Sequence, residues 1–299
     1  MTSVREEIRR LSKQGQPFNC RVRVESVAAV SDGFTRVAVV GDELAGYRDA
    51  LPADAFKLLL PPEGRGGVEF PERGGDGLPY WPPDARPPVF RAFTVRRFDP
   101  GSRRITFDVL RHDGFTRRWL DSAAVGDTIG LAGMRREFHA GTGVDHHLLI
   151  GDASALPAIA AITESLPPRV PASVYLAAGH ASDRDLLRPR ANVTVHWVAG
   201  GSPTGSGSPL ERAVRDGGRT GGRVQAWLAA EAGVMREVRR LLLGELGVGR
   251  TDLHSAAYWK SGLDGTRLDG VGLRRYQQEV AAGADPADPD TRDTVELDY

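Results

Sequence analysis

Cysteine is all but absent: Cys20 is the only one in 299 residues. That excludes an internal disulfide and any cysteine-ligated metal or iron–sulfur centre, and makes a reducing, intracellular location the expectation. Lysine is scarce too, standing only at Lys13, Lys57 and Lys260. All other basic side chains except histidine are arginine, so each lysine has survived a strong preference for the guanidinium. Neither sign of charge dominates, with 39 basic against 39 acidic residues, which removes the simplest argument for nucleic-acid binding or attraction to an anionic membrane. No run approaches the ~20 apolar residues of a membrane span. The polar start from Met1 to Gln14 lacks the apolar core of a signal peptide. A soluble, cytoplasmic protein without membrane insertion is expected.

What is present is a change of pattern part-way along the chain. A length of 299 residues suits two domains of roughly 130–150 residues each. Residues 4–13 read as a short charged helix. Period-2 strand signals follow at Phe18–Val30, Thr35–Val40, Ala55–Leu60, Val89–Arg96, Arg104–Leu110 and Asp127–Ala132, separated by Gly, Pro and Asp clusters. They predict a six-stranded antiparallel β-barrel, with residues 61–88 as one long loop. From His146 strands alternate with helices as far as Ser255–Trp259, which predicts a doubly wound parallel α/β sheet. Gly200–Ser208 reads as a flexible connection. The expected domains are 1–143 and 144–282, with an acidic tail, 283–299, disordered or loosely attached.

Four short stretches carry chemistry. Arg91-Ala92-Phe93-Thr94-Val95-Arg96 puts two guanidinium groups, a ring and a hydroxyl on one strand, with Arg91, Phe93 and Val95 facing one way and Thr94 and Arg96 the other. Such an edge can serve a planar, phosphate-bearing ligand: the ring covers an isoalloxazine, the hydroxyl reaches flavin N5 or O4, and the arginines pair with phosphate. It equally suits an exposed Arg-rich strand. In His112-Asp113-Gly114-Phe115-Thr116-Arg117-Arg118-Trp119, a glycine turn opening a helix aims free amides at an anion; an ordinary helix start with Arg117 and Arg118 in solvent is the alternative, and Trp119 reads as core. Gly151-Asp152-Ala153-Ser154-Ala155-Leu156-Pro157 follows a strand and opens a helix, the arrangement of a dinucleotide phosphate site. Finally Tyr258, Trp259 and Lys260 end the last strand, where sheet packing explains the rings as well as ligand contact does. His146 and His147 read as flanking the core rather than binding metal.

From Phe18 to Gly262 the chain resembles the siderophore-interacting proteins, FAD-dependent ferric-siderophore reductases of the ferredoxin-reductase-like superfamily. The family's Arg-x-Tyr-Thr-x-Arg is met by residues 91–96, with Phe93 for Tyr. Its Gly-Asp-Glu-Thr-Ala-Leu-Pro-Ala-Ile is met by residues 151–159, with Ala153 for Glu and Ser154 for Thr. Its closing Tyr-Trp-Arg/Lys-x-Gly is met by Tyr258 to Gly262. Phe115 stands where the family has Pro, and Val198-Ala199-Gly200 replaces its Leu-His-Arg. The resemblance implies non-covalent FAD held by Arg91, Phe93, Thr94, Arg96, His112, Gly114, Thr116 and Arg117, with Gly151, Asp152, Ser154, Glu231, Tyr258 and Trp259 on the nucleotide side. It implies Thr94 and Lys260 as the residues at the reacting centre, no protein ligand to metal, NADPH, NADH or a ferredoxin as donor, and a ferric siderophore as substrate. The lost Glu and Arg weaken the case for NADPH; Arg184, Arg188 and Arg190 are candidate replacements. Two further readings stand beside this one: a relative recruited to flavin-dependent tailoring of an organic small molecule in a biosynthetic pathway, without NADPH use, and a flavin- or chelate-binding protein without turnover.

Overall fold

The computed structural model describes residues 3–14, 18–61, 68–73, 79–200, 207–263 and 265–284. The expected tail is therefore almost wholly outside the described residues, as are parts of the 61–88 loop and of the Gly200–Ser208 connection. Helix α1 (Val4–Gln14) packs on the start of the last strand. Cys20, Val22 and Val24 alternate inward along β1 (Asn19–Ala29), which pairs with β2 (Phe34–Val40). The other strands of this half are β3 (Ala55–Leu60), the short β4 (Glu72–Arg73) and β5 (Pro79–Tyr80), β6 (Val89–Thr94), β7 (Arg97–Asp99), β8 (Arg104–Leu110) and β9 (Thr128–Arg135). All but β4 and β5 form one antiparallel sheet in the order β6-β3-β9-β1-β2-β8-β7.

The two edges of that sheet are successive segments of one stretch of chain. β6 pairs with β3, the chain steps across at Val95 and Arg96, and β7 pairs with β8. At the step Val95 N–H donates to Asp54 O (2.7 Å) and Arg96 N–H to Thr106 O (2.9 Å), so the sheet curls into a barrel and the edge amides are satisfied. Its core holds Phe56, Leu58, Leu60, Phe107, Ile129 and Trp119, the last on α2 (Phe115–Ser122). Burial pushes the Cys20 thiol up to about 12, so this lone cysteine packs as a small apolar group.

The second sheet is parallel, in the order β12-β11-β10-β13-β14, from β10 (His146–Gly151), β11 (Ala172–Ala177), β12 (Val193–Val198), β13 (Val224–Glu231) and β14 (Leu253–Trp259). Helix α3 (Leu156–Ser165) covers one face, while α4 (Pro209–Gly217) and α5 (Ala232–Gly244) cover the other. With both faces buried, the strands read as near-continuous apolar runs such as Leu148-Leu149-Ile150. The order of connection reverses between β10 and β13, so a topological switch point opens at their carboxyl ends. After β14 the chain turns and forms α6 (Gly265–Ala281), which packs on β6 of the barrel. No helix was expected there: Gly265, Gly270 and Gly272 interrupt any apolar period. Among the described residues no helix is long and apolar enough to cross a membrane.

Candidate functional site

The helix that follows β14, α6, packs on β6, the strand singled out from the sequence. On β6 the Phe93 ring is half-buried, with its centroid 5.1 Å from that of Phe107 and 6.3 Å from that of Phe56. Thr94 is buried opposite Ala55, and Val95 lies in the barrel core. The carboxylate of Asp54, next to Ala55, holds this corner: it accepts from Tyr47 Oη (2.6 Å) and the Leu51 N–H (3.0 Å) and pairs with Arg136. Burial pushes Asp54 up to about 6, against the pull of those donors.

Arg91, two residues before Phe93, spreads its guanidinium over the Phe115 ring, 5.6 Å from the centroid, and donates to Phe90 O. Phe115 opens α2, and its N-cap residue Gly114 makes no side-chain capping bond. Its first N–H groups therefore point out beside an arginine, a donor set matched to a diphosphate. The preceding Gly114 has φ 141°, which an L side chain would adopt only with strain. Thr116 is buried in the first turn. His112 is exposed and its Nδ1 lies 2.9 Å from Asp113 O, while Arg117 pairs with Asp121 (3.0 Å). The structure thus gathers Arg91, Phe93, Thr94, Gly114 and Thr116 at one corner and turns the Arg117 side chain along its own helix. These residues fit the anionic tail and ring of a flavin dinucleotide. Phe115, read from the sequence only as a departure, supplies the platform for Arg91; an aromatic at a helix start was its one sequence signal.

Arg96 goes elsewhere. Its guanidinium makes a two-pronged ion pair with Glu164 on α3, Nη1 to Oε2 at 2.9 Å and Nη2 to Oε1 at 2.6 Å, joining the barrel to the α/β half. Burial alone would raise the Glu164 carboxyl, but Arg96 outweighs it and holds the group below the usual carboxylate range. Glu164 is 68 positions from Arg96, and nothing in the sequence marks the pairing. Of the arginines considered for nucleotide phosphate, Arg190 donates to the carbonyls of Thr163, Glu164 and Leu166 at the end of α3, Arg188 lies 3.9 Å from Glu164, and Arg184 lies over the Trp197 ring.

At the switch point Gly151 ends β10 and Asp152 begins the 3-10 turn Ala153–Ala155. Asp152 is buried, and four donors converge on it. Oδ1 accepts from Ser154 N (2.9 Å) and Ser154 Oγ (2.5 Å); Oδ2 accepts from Glu231 N (2.8 Å) and Trp259 Nε1 (2.8 Å). Burial raises its pKa while these donors favour the carboxylate. Glu231, the N-cap of α5, accepts from Gly233 N (2.6 Å) and Val234 N (3.2 Å) through Oε2 and from Ser261 N (3.2 Å) through Oε1. A β-bulge opposite the Ala230–Glu231 step sends the Tyr258 ring edge-on to Trp227 at 6.1 Å and Trp259 toward Asp152. Lys260 follows, half-buried. Asp152, Ser154, Glu231 and Trp259 are therefore one hydrogen-bonded group across three strands, with Tyr258 at its edge.

Two family models match. The siderophore-interacting FAD-binding domain covers residues 23–138, and the siderophore-interacting protein model covers residues 144–262. The ferric vibriobactin reductase ViuB of Vibrio cholerae is 27% identical over 237 residues, 78% of this chain and 86% of that protein. An uncharacterized protein of Mycobacterium tuberculosis is 34% identical over 219 residues, 69% of this chain and 75% of the relative. The crystal structure of a siderophore utilization protein from T. fusca aligns with TM-score 0.72 at 29% identity, covering 83% of this chain and 95% of that one.

Proposed function

The chain belongs to the siderophore-interacting protein family, and from that premise we propose that it is a cytoplasmic, FAD-dependent ferric-chelate reductase whose substrate is a ferric siderophore. The observation that carries the reading is the uncapped start of α2 beside the Arg91 guanidinium, next to the strand bearing Phe93 and Thr94. Arg91 and the first amides of α2 would hold the diphosphate, Phe93 and Thr94 would orient the ring system, and Lys260 would draw an anionic chelate to its exposed edge. When bound, FAD supplies the redox chemistry, accepting electrons from the donor and passing them singly to Fe(III). Hard oxygen chelators hold Fe(III) far better than Fe(II), so reduction is also release and no iron ligand from the protein is needed.

The donor is NADPH or NADH, or a ferredoxin. Glu231 caps α5 and Asp152 caps the 3-10 turn ahead of α3, so a dinucleotide diphosphate placed on that turn or at the start of α5 would meet a carboxylate and amides already bonded. That weighs against resting it there and favours a donor that approaches the cleft without using these amides. Anaerobic mixing of the flavin-loaded protein with NADPH, NADH or a reduced ferredoxin, followed by a ferric siderophore, tests the reading. Ferric chelate is expected to restore the flavin absorbance of chemically reduced protein whatever the donor. Reduced protein left bleached by excess ferric chelate overturns it.

A further inference from the structure

Asp152 and Glu231 lie where the sequence suggested nucleotide phosphate, yet their acceptor capacity is turned inward. Between them they fasten the two neighbours of one residue: Asp152 Oδ2 takes the indole N–H of Trp259 at 2.8 Å, and Glu231 Oε1 takes the backbone N–H of Ser261 at 3.2 Å. The residue between is Lys260, one of three lysines in an arginine-dominated chain. β14 ends at Trp259, and Gly262, with φ 80°, turns the chain toward α6. Past the strand end the Lys260 carbonyl accepts one turn bond, from Leu263 N at 3.2 Å, and with that alone an ammonium on the terminus of an edge strand would sweep a wide volume. Here two carboxylates from two other strands fix the residues on either side of it. The carboxylates are in turn immobilised: Asp152 by Ser154 and the Glu231 amide, Glu231 by the first amides of α5.

We propose that Asp152 and Glu231 are positioning residues that hold Lys260 at the carboxyl end of β14, where it meets the ferric chelate, and thereby set selectivity for anionic over neutral ferric chelates. The inference rests on the reductase reading for the identity of the ligand, though not on turnover. Each carboxylate needs both of its oxygens. Asp152→Asn and Glu231→Gln leave a single acceptor oxygen for donors that now use two, so one tie in each group must loosen.

The test uses the full chain loaded with FAD and redox-inert Ga(III) chelates, so that binding is read apart from electron transfer. Equilibrium dialysis compares anionic Ga(III)–EDTA with the neutral Ga(III) tris(acetohydroxamate). Lys260→Ala, Asp152→Asn and Glu231→Gln are each expected to weaken the anionic chelate by about fivefold, the size of a half-exposed charge contact, and to leave the neutral one unchanged. Added to Lys260→Ala, neither carboxylate change costs anything more, because both act through the ammonium. Equal loss for both chelates, additive losses in the double variants, or no effect of Lys260→Ala on the anionic chelate overturns the proposal. Should Asp152→Asn fail to fold, Glu231→Gln alone carries the comparison through Ser261. The Fe(III) forms of the same chelates test the other layer: gallium binding as expected with no reoxidation by iron leaves the clamp standing and removes the reductase.

Discussion

His147 and Arg96 illustrate how a single side chain's role depends on what folds against it. His147, on β10, is 1% exposed beside the Phe138 ring, and burial, with a smaller contribution from His146, lowers its imidazole to about 4. The unfolded chain takes up this proton near the ordinary histidine value and the folded protein does not, so the stability His147 contributes is complete above pH ~6.5 and is lost as the pH falls toward 4. The loss is no more than about 3 kcal/mol. His147→Leu should flatten the stability profile in that window, measured by urea unfolding at about pH 7 and about pH 4.5; an unchanged acid loss would place the titrating group elsewhere. The strand pattern places His146 and His147 at the flank of the core, and His147 lies inside it. For Arg96 the sequence shows the charge but not the partner, because Glu164 comes into reach only once the two sheets have docked.

At the scale of elements, the β1–β2 turn does more than reverse the chain. Ser31 Oγ donates to Asp183 Oδ1 at 2.7 Å, the Gly33 N–H donates to the same oxygen at 3.1 Å, and Ser182 Oγ donates to Asp32 Oδ2 at 2.7 Å, so the hairpin tip is bonded to the 3-10 turn Ala181–Leu186 after β11. A Cβ at Gly33 would stand 2.6 Å from both Asp183 carboxylate oxygens. Gly33→Ala should therefore force the hairpin off the carboxylate and cost about 1–3 kcal/mol in urea unfolding; an unchanged midpoint would mean that the turn contributes nothing to docking. Most elements were legible, because period 2 in the barrel and the continuous apolar strands after His146 are strong signals. The barrel's closure was not: the strand pattern over Val89–Arg96 spans β6 and the step at Val95–Arg96 without separating them and stops before β7, and the step shows only in which partners the amides find. The bulge at Tyr258 was hidden for the same reason, since register is a property of two strands.

For the whole molecule, the consequence is that barrel and parallel sheet are bonded at several separate places. Arg96–Glu164 joins β6's end to α3, Ser31 and Gly33 join the hairpin to Asp183, and the buried Glu137–His254 pair, 2.7 Å apart, joins the chain just past β9 to β14. These bonds tie the barrel to the α/β half at the end of β6, at the β1–β2 hairpin and just past β9, while α6, which follows β14, packs on β6. At this scale the family resemblance conveyed the architecture, while the inward use of Asp152 and Glu231 needed coordinates, because their donors come from three strands. FAD is proposed to lie on the barrel at Arg91, Thr94 and the start of α2. Titration of the purified, flavin-stripped protein with FAD, followed by absorbance and equilibrium dialysis, tests it most directly. One FAD per chain is expected for the unaltered protein and none for the Arg91→Ala/Thr94→Ala double variant with its fold intact by circular dichroism, whereas a protein that refuses FAD, or a double variant that still binds it stoichiometrically, would contradict the account.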